Sequence, residues 1–253
     1  MMPSRTLLGP GQRKQTATRA LVLFSGFFGD VSNWAATVER FQERYRVLPM
    51  AFQLYRRDAP YHTVASLTRT VCEEMDRLGL AQAVLFGNSM GGQIALNVAL
   101  EQPHRVAGLV LTGSAGLMER NLAEYPPLDP PREYIRGKVE QVFFDPRHAT
   151  DQIVDEVQSI LRDNRNKLRL VKLARSVREF NLHDRLPAIT APTLLVWGKQ
   201  DSITPVEVGE IFAQRLPQAR MFVLDRCGHA PNIEQPDELN RLADEFLAEI
   251  GYV

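Results

Sequence analysis

Short runs of consecutive apolar residues alternate along the chain with longer stretches in which apolar positions recur every three or four residues. The runs are ALVLFS (20–25), RVLPMAF (46–52), AVLFG (83–87), AGLVLTG (107–113), PTLLVWG (192–198) and ARMFVLD (219–225). Most lack polar alternation, as expected of strands buried on both faces of a parallel sheet. Between them, helical periodicity predicts helices over 64–78, 93–101, 206–215 and 236–250. In the last of these, Leu239, Leu242, Phe246 and Ile250 share one face. Strands alternating with helices in this way predict an α/β fold, a mostly parallel open sheet with helices on both faces.

One stretch breaks the alternation. From Ala115 to Leu186 no strand pattern occurs; Pro126, Pro127, Pro130 and Pro131 come early and helical patterns follow. A segment this long is not a bare loop, and it is expected to form a helical lid inserted between core strands. The chain then divides into a first core part (1–114, with 1–19 irregular), the lid (115–186) and a second core part (187–253). Within the lid, RDNRNKLRLVKLARSVR (162–178) sets Arg162, Arg165, Lys167, Arg169, Lys172, Arg175 and Arg178 against one acid, Asp163. Leu168, Val171, Leu173, Ala174 and Val177 interleave as an apolar side. That is an amphipathic helix whose basic face is either simply solvated or an attractor for an anionic substrate.

Composition narrows the classes. The 253 residues carry 30 basic and 30 acidic side chains and 44% apolar residues. A balanced charge gives no electrostatic reason to expect nucleic acid or an anionic membrane as partner. Cys72 and Cys227 are too few for a disulfide framework and read as free thiols. His62, His104, His148, His183 and His229 show no metal-ligand spacing, so neither a metal nor a cofactor is expected. The apolar run after the polar N-terminal segment is too short to span a bilayer, which takes about 20 residues, and a cytoplasmic protein is expected.

The chemistry concentrates in VLFGNSMGGQIALNVAL (84–100), where Gly87-Asn88-Ser89-Met90-Gly91 fits G-x-S-x-G between a strand and a helix. A serine there sits on a sharp turn that lifts its hydroxyl off the sheet edge, and the flanking glycines clear space for the turn and for substrate. A phosphate loop would require G-x-x-x-x-G-K-[ST] or G-x-G-x-x-G, and neither is present. The hydroxyl needs a base, and the base needs an acid to hold its tautomer. WGKQDSITP ends one later strand with Asp201, and LDRCGHAPNIEQP ends the next with His229. The order Ser89, Asp201, His229 suits this fold. Asp201 alone could be a turn or capping residue, and His229 alone a buried structural histidine; Asp225 and Asp30 are rival acids. The oxyanion donors expected are the backbone N–H groups of Met90 and, in the first strand's loop LFSGFFGDVSNW, of Phe27, with Phe28 as alternative. Gly26, Phe28, Trp34, Asn88, Leu117, Met118, Phe143, Phe144 and Ala230 are candidates to line the substrate pocket.

The combination of GNSMGG, WGKQDSITP, CGHAPNIEQP and an inserted lid resembles the α/β-hydrolase superfamily from about Ala20 onward. Its closest likeness is to the meta-cleavage product hydrolases, which split carbon–carbon bonds in aromatic degradation. The resemblance implies a Ser89–His229–Asp201 triad. The chain departs from that group in several places. Ser25-Gly26 replaces His-Gly, Ala230 follows the histidine where tryptophan is usual, and MAFQLYRRDAPYH (50–62) replaces D-x-P-G-x-G-x-S. The position matching the group's lid arginine falls near Val154, with Arg162 and Arg165 the nearest candidates. These departures lead to an expected serine hydrolase of small to medium carboxylic esters or related acyl substrates. Cleavage of vinylogous diketone acids is the alternative, and a catalytically silent binding protein a remote third.

Overall fold

The computed structural model describes residues 19–29, 31–50, 52, 63–117, 127 and 129–253. Six strands, β1 (Ala20–Phe24), β2 (Arg46–Met50), β3 (Ala83–Asn88), β4 (Val106–Thr112), β5 (Thr193–Gly198) and β6 (Ala219–Leu224), form one sheet in the order β2-β1-β3-β4-β5-β6. Every adjacent pair is parallel. The chain winds from β1 outward to β2, then returns past β1 to β3. The β1/β3 boundary is therefore a switch point, where open parallel sheets leave a crevice beyond their strand ends.

The unbroken apolar runs are explained by two cores, one on each face. In β1, Ala20, Val22 and Phe24 pack on one side while Leu21 and Leu23 pack on the other; in β3 the split is Ala83 and Leu85 against Val84 and Phe86. The first face is covered by α2 (Val64–Arg77), α3 (Met90–Glu101) and α7 (Val206–Arg215), the second by α1 (Ala35–Phe41) and α9 (Pro236–Glu249). Strand β6 departs from the expected double burial, with Val223 46% exposed. It is the last strand in the order and has a neighbour on one side only.

Between β4 and β5, the described residues form α4 (Arg132–Glu140), α5 (Asp151–Arg162) and α6 (Asn164–Glu179). Ile135, Val139, Ala149, Val154, Val157 and Leu161 give α4 and α5 a small apolar core of their own. Asp163 ends α5 and caps α6, its side chain accepting from the Arg165 N–H at 2.7 Å, so two helices meet without a longer linker. Leu173 and Val177 of α6 pack into the main core, whereas Leu168 is 62% exposed and does not extend that buried stripe. Buried Gln93 of α3 donates to the carbonyls of Val177 and Phe180 at 3.1 and 2.9 Å, and Ser176 Oγ accepts from the Val64 N–H at 3.0 Å. The C-terminal half of α6 is thereby fastened to α2 and α3. Among the described residues, no helix is long and apolar enough to cross a membrane.

Candidate active site

Strand β3 is buried along its whole length and ends at Asn88. Ser89 follows at φ 56°, ψ −124°, and α3 begins at Met90. A non-glycine residue in this region is strained. The turn is held because Ser89 N–H donates to the Thr112 carbonyl at 3.1 Å, while the Ser89 carbonyl accepts from Ala115 at 3.0 Å and Gly92 at 2.9 Å. The neighbouring glycines permit it. A Cβ on Gly87 would come within 2.6 Å of Gly91 and Gly92 backbone, and one on Gly91 would collide with the Phe24 carbonyl oxygen. Gly26 brings the β1 loop against the serine, its hypothetical Cβ lying 3.1 Å from Ser89 Cβ.

The ends of β5 and β6 stay paired beyond the strands: Lys199 N–H donates to Leu224 at 2.8 Å and Gln200 N–H to Cys227 at 3.0 Å. This pairing sets Asp201 beside His229, with Asp201 Oδ2 2.9 Å from His229 Nδ1, both residues buried. Asp201 Oδ1 accepts from the Ile203 and Thr204 N–H groups, each at 2.9 Å, and Oδ2 also accepts from Thr204 Oγ1 at 2.9 Å. Asp201 is thus a turn residue and a histidine partner at once, and these bonds offset the cost of burying a carboxylate. An acceptor at Nδ1 selects the tautomer with hydrogen there, which leaves the Nε2 lone pair available to a nucleophile. Asn88 anchors the histidine turn to the serine turn. Its amide nitrogen donates to the His229 carbonyl at 2.9 Å and to Thr112 O and Oγ1 at 3.1 Å.

Ser89 and His229 face one cavity of about 490 Å³ beneath α4, α5 and α6. Gly26, Phe27, Phe28, Asn88, Phe143 and Ala230 line it. Met90 opens α3, where the first N–H groups lack intrahelical acceptors, and Phe27 lies on the facing loop. Three pocket expectations are corrected. Trp34 is fully buried behind the sheet, its ring edge-on to Phe86 at 6.2 Å, because the turn leading into α1 directs it into the second core. Leu117 belongs to the first core rather than to the cavity wall. Phe144 is exposed on the outside, where the Arg226 guanidinium lies 5.9 Å over its ring.

Of the two rival acids, Asp225 does not pair with the histidine. Asp225 bonds to Gln200 and Lys199, which hold its carboxyl below the usual range. Asp30, Met118 and most of the 50–62 segment lie outside the described residues. Burial, with Glu234 and Asp201 nearby, pushes the Cys227 thiol far up, so it stays protonated. Among the described residues no cluster of three or more His, Cys, Asp or Glu could hold a metal ion.

Of the basic groups on the 162–178 stretch, Arg178 reaches the cavity, joined by Lys138 from α4. Val154 is fully buried in the α4–α5 core, and neither Arg162 nor Arg165 lines the cavity; Lys138 of α4 and Arg178 of α6 do. Arg178 sits one helical turn beyond Ala174 and two beyond Val171, both on the cavity wall, a spacing visible in the sequence once α6 is known to face inward. Lys138 carried no sequence signal of its own.

Comparison with known proteins agrees with this architecture. Residues 19–236 match the family described as alpha/beta hydrolase fold. The chain is 33% identical over 192 residues to a 2-hydroxy-6-oxo-6-phenylhexa-2,4-dienoate hydrolase of Comamonas testosteroni, covering 71% of this chain and 67% of that one. It is equally 33% identical, over 193 residues (71% and 68% of the two chains), to a 2-hydroxy-6-oxononadienedioate/2-hydroxy-6-oxononatrienedioate hydrolase of the same organism. Among solved structures, an alpha/beta hydrolase enzyme from the metagenome of lagoon sediments of Mar Chica, Morocco, superposes with a TM-score of 0.73 at 32% identity, over 91% of both chains. By sequence match, sheet order and the serine turn at the end of β3, the chain belongs to the alpha/beta hydrolase fold family and is a hydrolase.

Proposed function

We propose that this chain is a serine hydrolase that cleaves a carbon–carbon bond in an acid of the 2-hydroxy-6-oxo-dienoate type. The observation that carries the reading is the cavity itself. It opens on Ser89 and His229, has apolar walls from Val157, Leu161, Leu170 and Val171, and bears Lys138 and Arg178. Such a space suits an acyl compound with an apolar part and an anionic end. The named activity of the two relatives supports this choice over the ester reading, and Arg178 of α6 offers the cavity a cation that the position near Val154 does not.

In this mechanism, His229 Nε2 takes the proton of Ser89 as Oγ attacks the C6 carbonyl of the substrate's 2-oxo tautomer. The oxyanion is held by the N–H groups of Met90 and Phe27. The C5–C6 bond then breaks, and its electron pair is delocalised onto the 2-oxo group, so the leaving group departs as a dienolate rather than a localised carbanion. The imidazolium returns its proton to that product, and water, activated by His229, releases the acid from Ser89. Asp201 keeps the imidazole oriented throughout. The α4–α6 unit serves as the lid that keeps bulk water from the acyl group.

The test is product analysis by mass spectrometry after incubation with a 2-hydroxy-6-oxo-dienoate. One carboxylic acid and one shorter 2-hydroxydienoate should appear in equal amounts with wild type and not with Ser89→Ala. An unchanged substrate with the wild-type protein would sink the proposal. Ester hydrolysis is the second reading, favoured by Ala230, whose small side chain lines the cavity directly after His229.

A further inference from the structure

Outside the candidate triad, one carboxylate bridges two parts of the site. Glu234 ends the short helix α8 (Pro231–Glu234). Its Oε1 accepts from the Gly228 N–H at 2.7 Å, directly before His229. Its Oε2 accepts from the N–H groups of Phe144 and Asp145 at 2.7 and 3.2 Å, in the connection that follows α4. The same connection receives two further bonds from the triad turns. His229 N–H donates to the Val142 carbonyl at 2.7 Å, and Ser202 Oγ, next to Asp201, donates to the Gln141 carbonyl at 2.9 Å. Close packing adds to this, since a Cβ on Gly228 would fall 2.7 Å from Val142 O and 2.8 Å from Phe144 N. Val142 and Phe143 of this strap line the cavity, as do His229 and Ala230.

We infer that Glu234 is a positioning residue that locks the histidine turn to the 141–145 strap, so that the imidazole and the cavity wall formed by the strap are set together. The inference rests on the reading of Ser89 and His229 as nucleophile and base. Both carboxylate oxygens act as acceptors for backbone N–H groups, and this makes a sharp distinction. Glutamine keeps the volume of Glu234 but turns an NH₂ toward one of the two donor sets, so it cannot hold both ends. In the reactivity of the serine, Glu234→Gln should therefore behave like Glu234→Ala, not like wild type.

Two measurements on the full chain test it. Hydrogen exchange should show Gly228, Phe144 and Asp145 losing amide protection together in Glu234→Ala, which removes both acceptors, and at least one of the two donor sets losing it in Glu234→Gln, which keeps a single acceptor oxygen. The rate of covalent labelling by a fluorophosphonate, which reports attack by the serine, should fall by about 10-fold or more, the scale of a misplaced catalytic base. Thermal unfolding run alongside identifies a variant that has not folded; Glu234→Asp, which keeps the charge but shortens the reach, then takes its place with the same expectation. Ser89→Ala serves as control. If wild type and Ser89→Ala label equally, the nucleophile reading fails and the inference with it. If wild type labels at Ser89 and folded Glu234→Gln labels equally fast, or if only Gly228 loses protection in Glu234→Ala, the inference alone is overturned.

Discussion

Replacing Ser89 by glycine should stabilise the protein relative to Ser89→Ala while both abolish turnover. Ser89 adopts φ 56°, ψ −124°, which alanine must also adopt, Cβ included. A non-glycine residue held there costs about 1–3 kcal/mol. Glycine removes that strain but loses about 0.5–1 kcal/mol through the greater freedom of its unfolded chain. The difference leaves glycine ahead by about 1 kcal/mol, and for a chain of this size each kcal/mol moves Tm by about 2–4 °C. The backbone bonds from Thr112, Gly92 and Ala115 to this turn involve no side-chain atom of Ser89, so neither variant removes them. Differential scanning calorimetry on both variants, with urea unfolding as a second measure, gives the comparison. A Ser89→Ala protein as stable as Ser89→Gly, or more so, would mean that the turn is not strained and that the flanking glycines are there for another reason.

Three further outcomes follow from the same geometry. Asp201→Asn can still accept from Ile203 and Thr204 through Oδ1, yet presents NH₂ to His229 Nδ1. It should fold normally and lose kcat by about 10⁴-fold through the wrong imidazole tautomer; steady-state kinetics beside circular dichroism checks this. Gly91→Ala forces a Cβ against the Phe24 carbonyl oxygen, and urea titration should find about 1–3 kcal/mol of lost stability, the usual range for overpacking. Replacing both Lys138 and Arg178 by alanine should raise KM for a carboxylate substrate by about 10-fold or more, the worth of one charged hydrogen bond, with a much smaller change for a neutral ester. Equal effects on both substrates would count against an anionic subsite.

Much of the fold could be read from local pattern because both sheet faces are covered. The apolar runs at 83–87 and 192–198 correspond closely to β3 and β5, and the predicted helix at 206–215 coincides with α7. The apolar periodicity predicts this helix from Gln93, whereas α3 begins at Met90; Gly91 and Gly92 are required there by the close approach of β1 and Ser114 to the helix start. Ser89, Asp201 and His229 stood out because the chemistry demands fixed residue types at strand ends. Pocket walls were less legible. Trp34 and Phe28 look alike in sequence, both aromatic residues after β1, and only the direction of the turn into α1 sends one to the core and leaves the other at the cavity. The role proposed for Glu234 was invisible because its partners are backbone N–H groups, two of them about 90 residues away in the chain.

The central claim is that the cavity over Ser89 serves carbon–carbon cleavage of a carboxylate-bearing substrate. The most direct measurement is kcat/KM of the purified protein for a 2-hydroxy-6-oxo-dienoate beside short and long p-nitrophenyl esters, with Ser89→Ala as control. The account predicts a clear preference for the dienoate, at least about 10-fold, and loss of all turnover in the variant. Fast ester hydrolysis with the dienoate untouched would contradict it and return the site to the esterase reading.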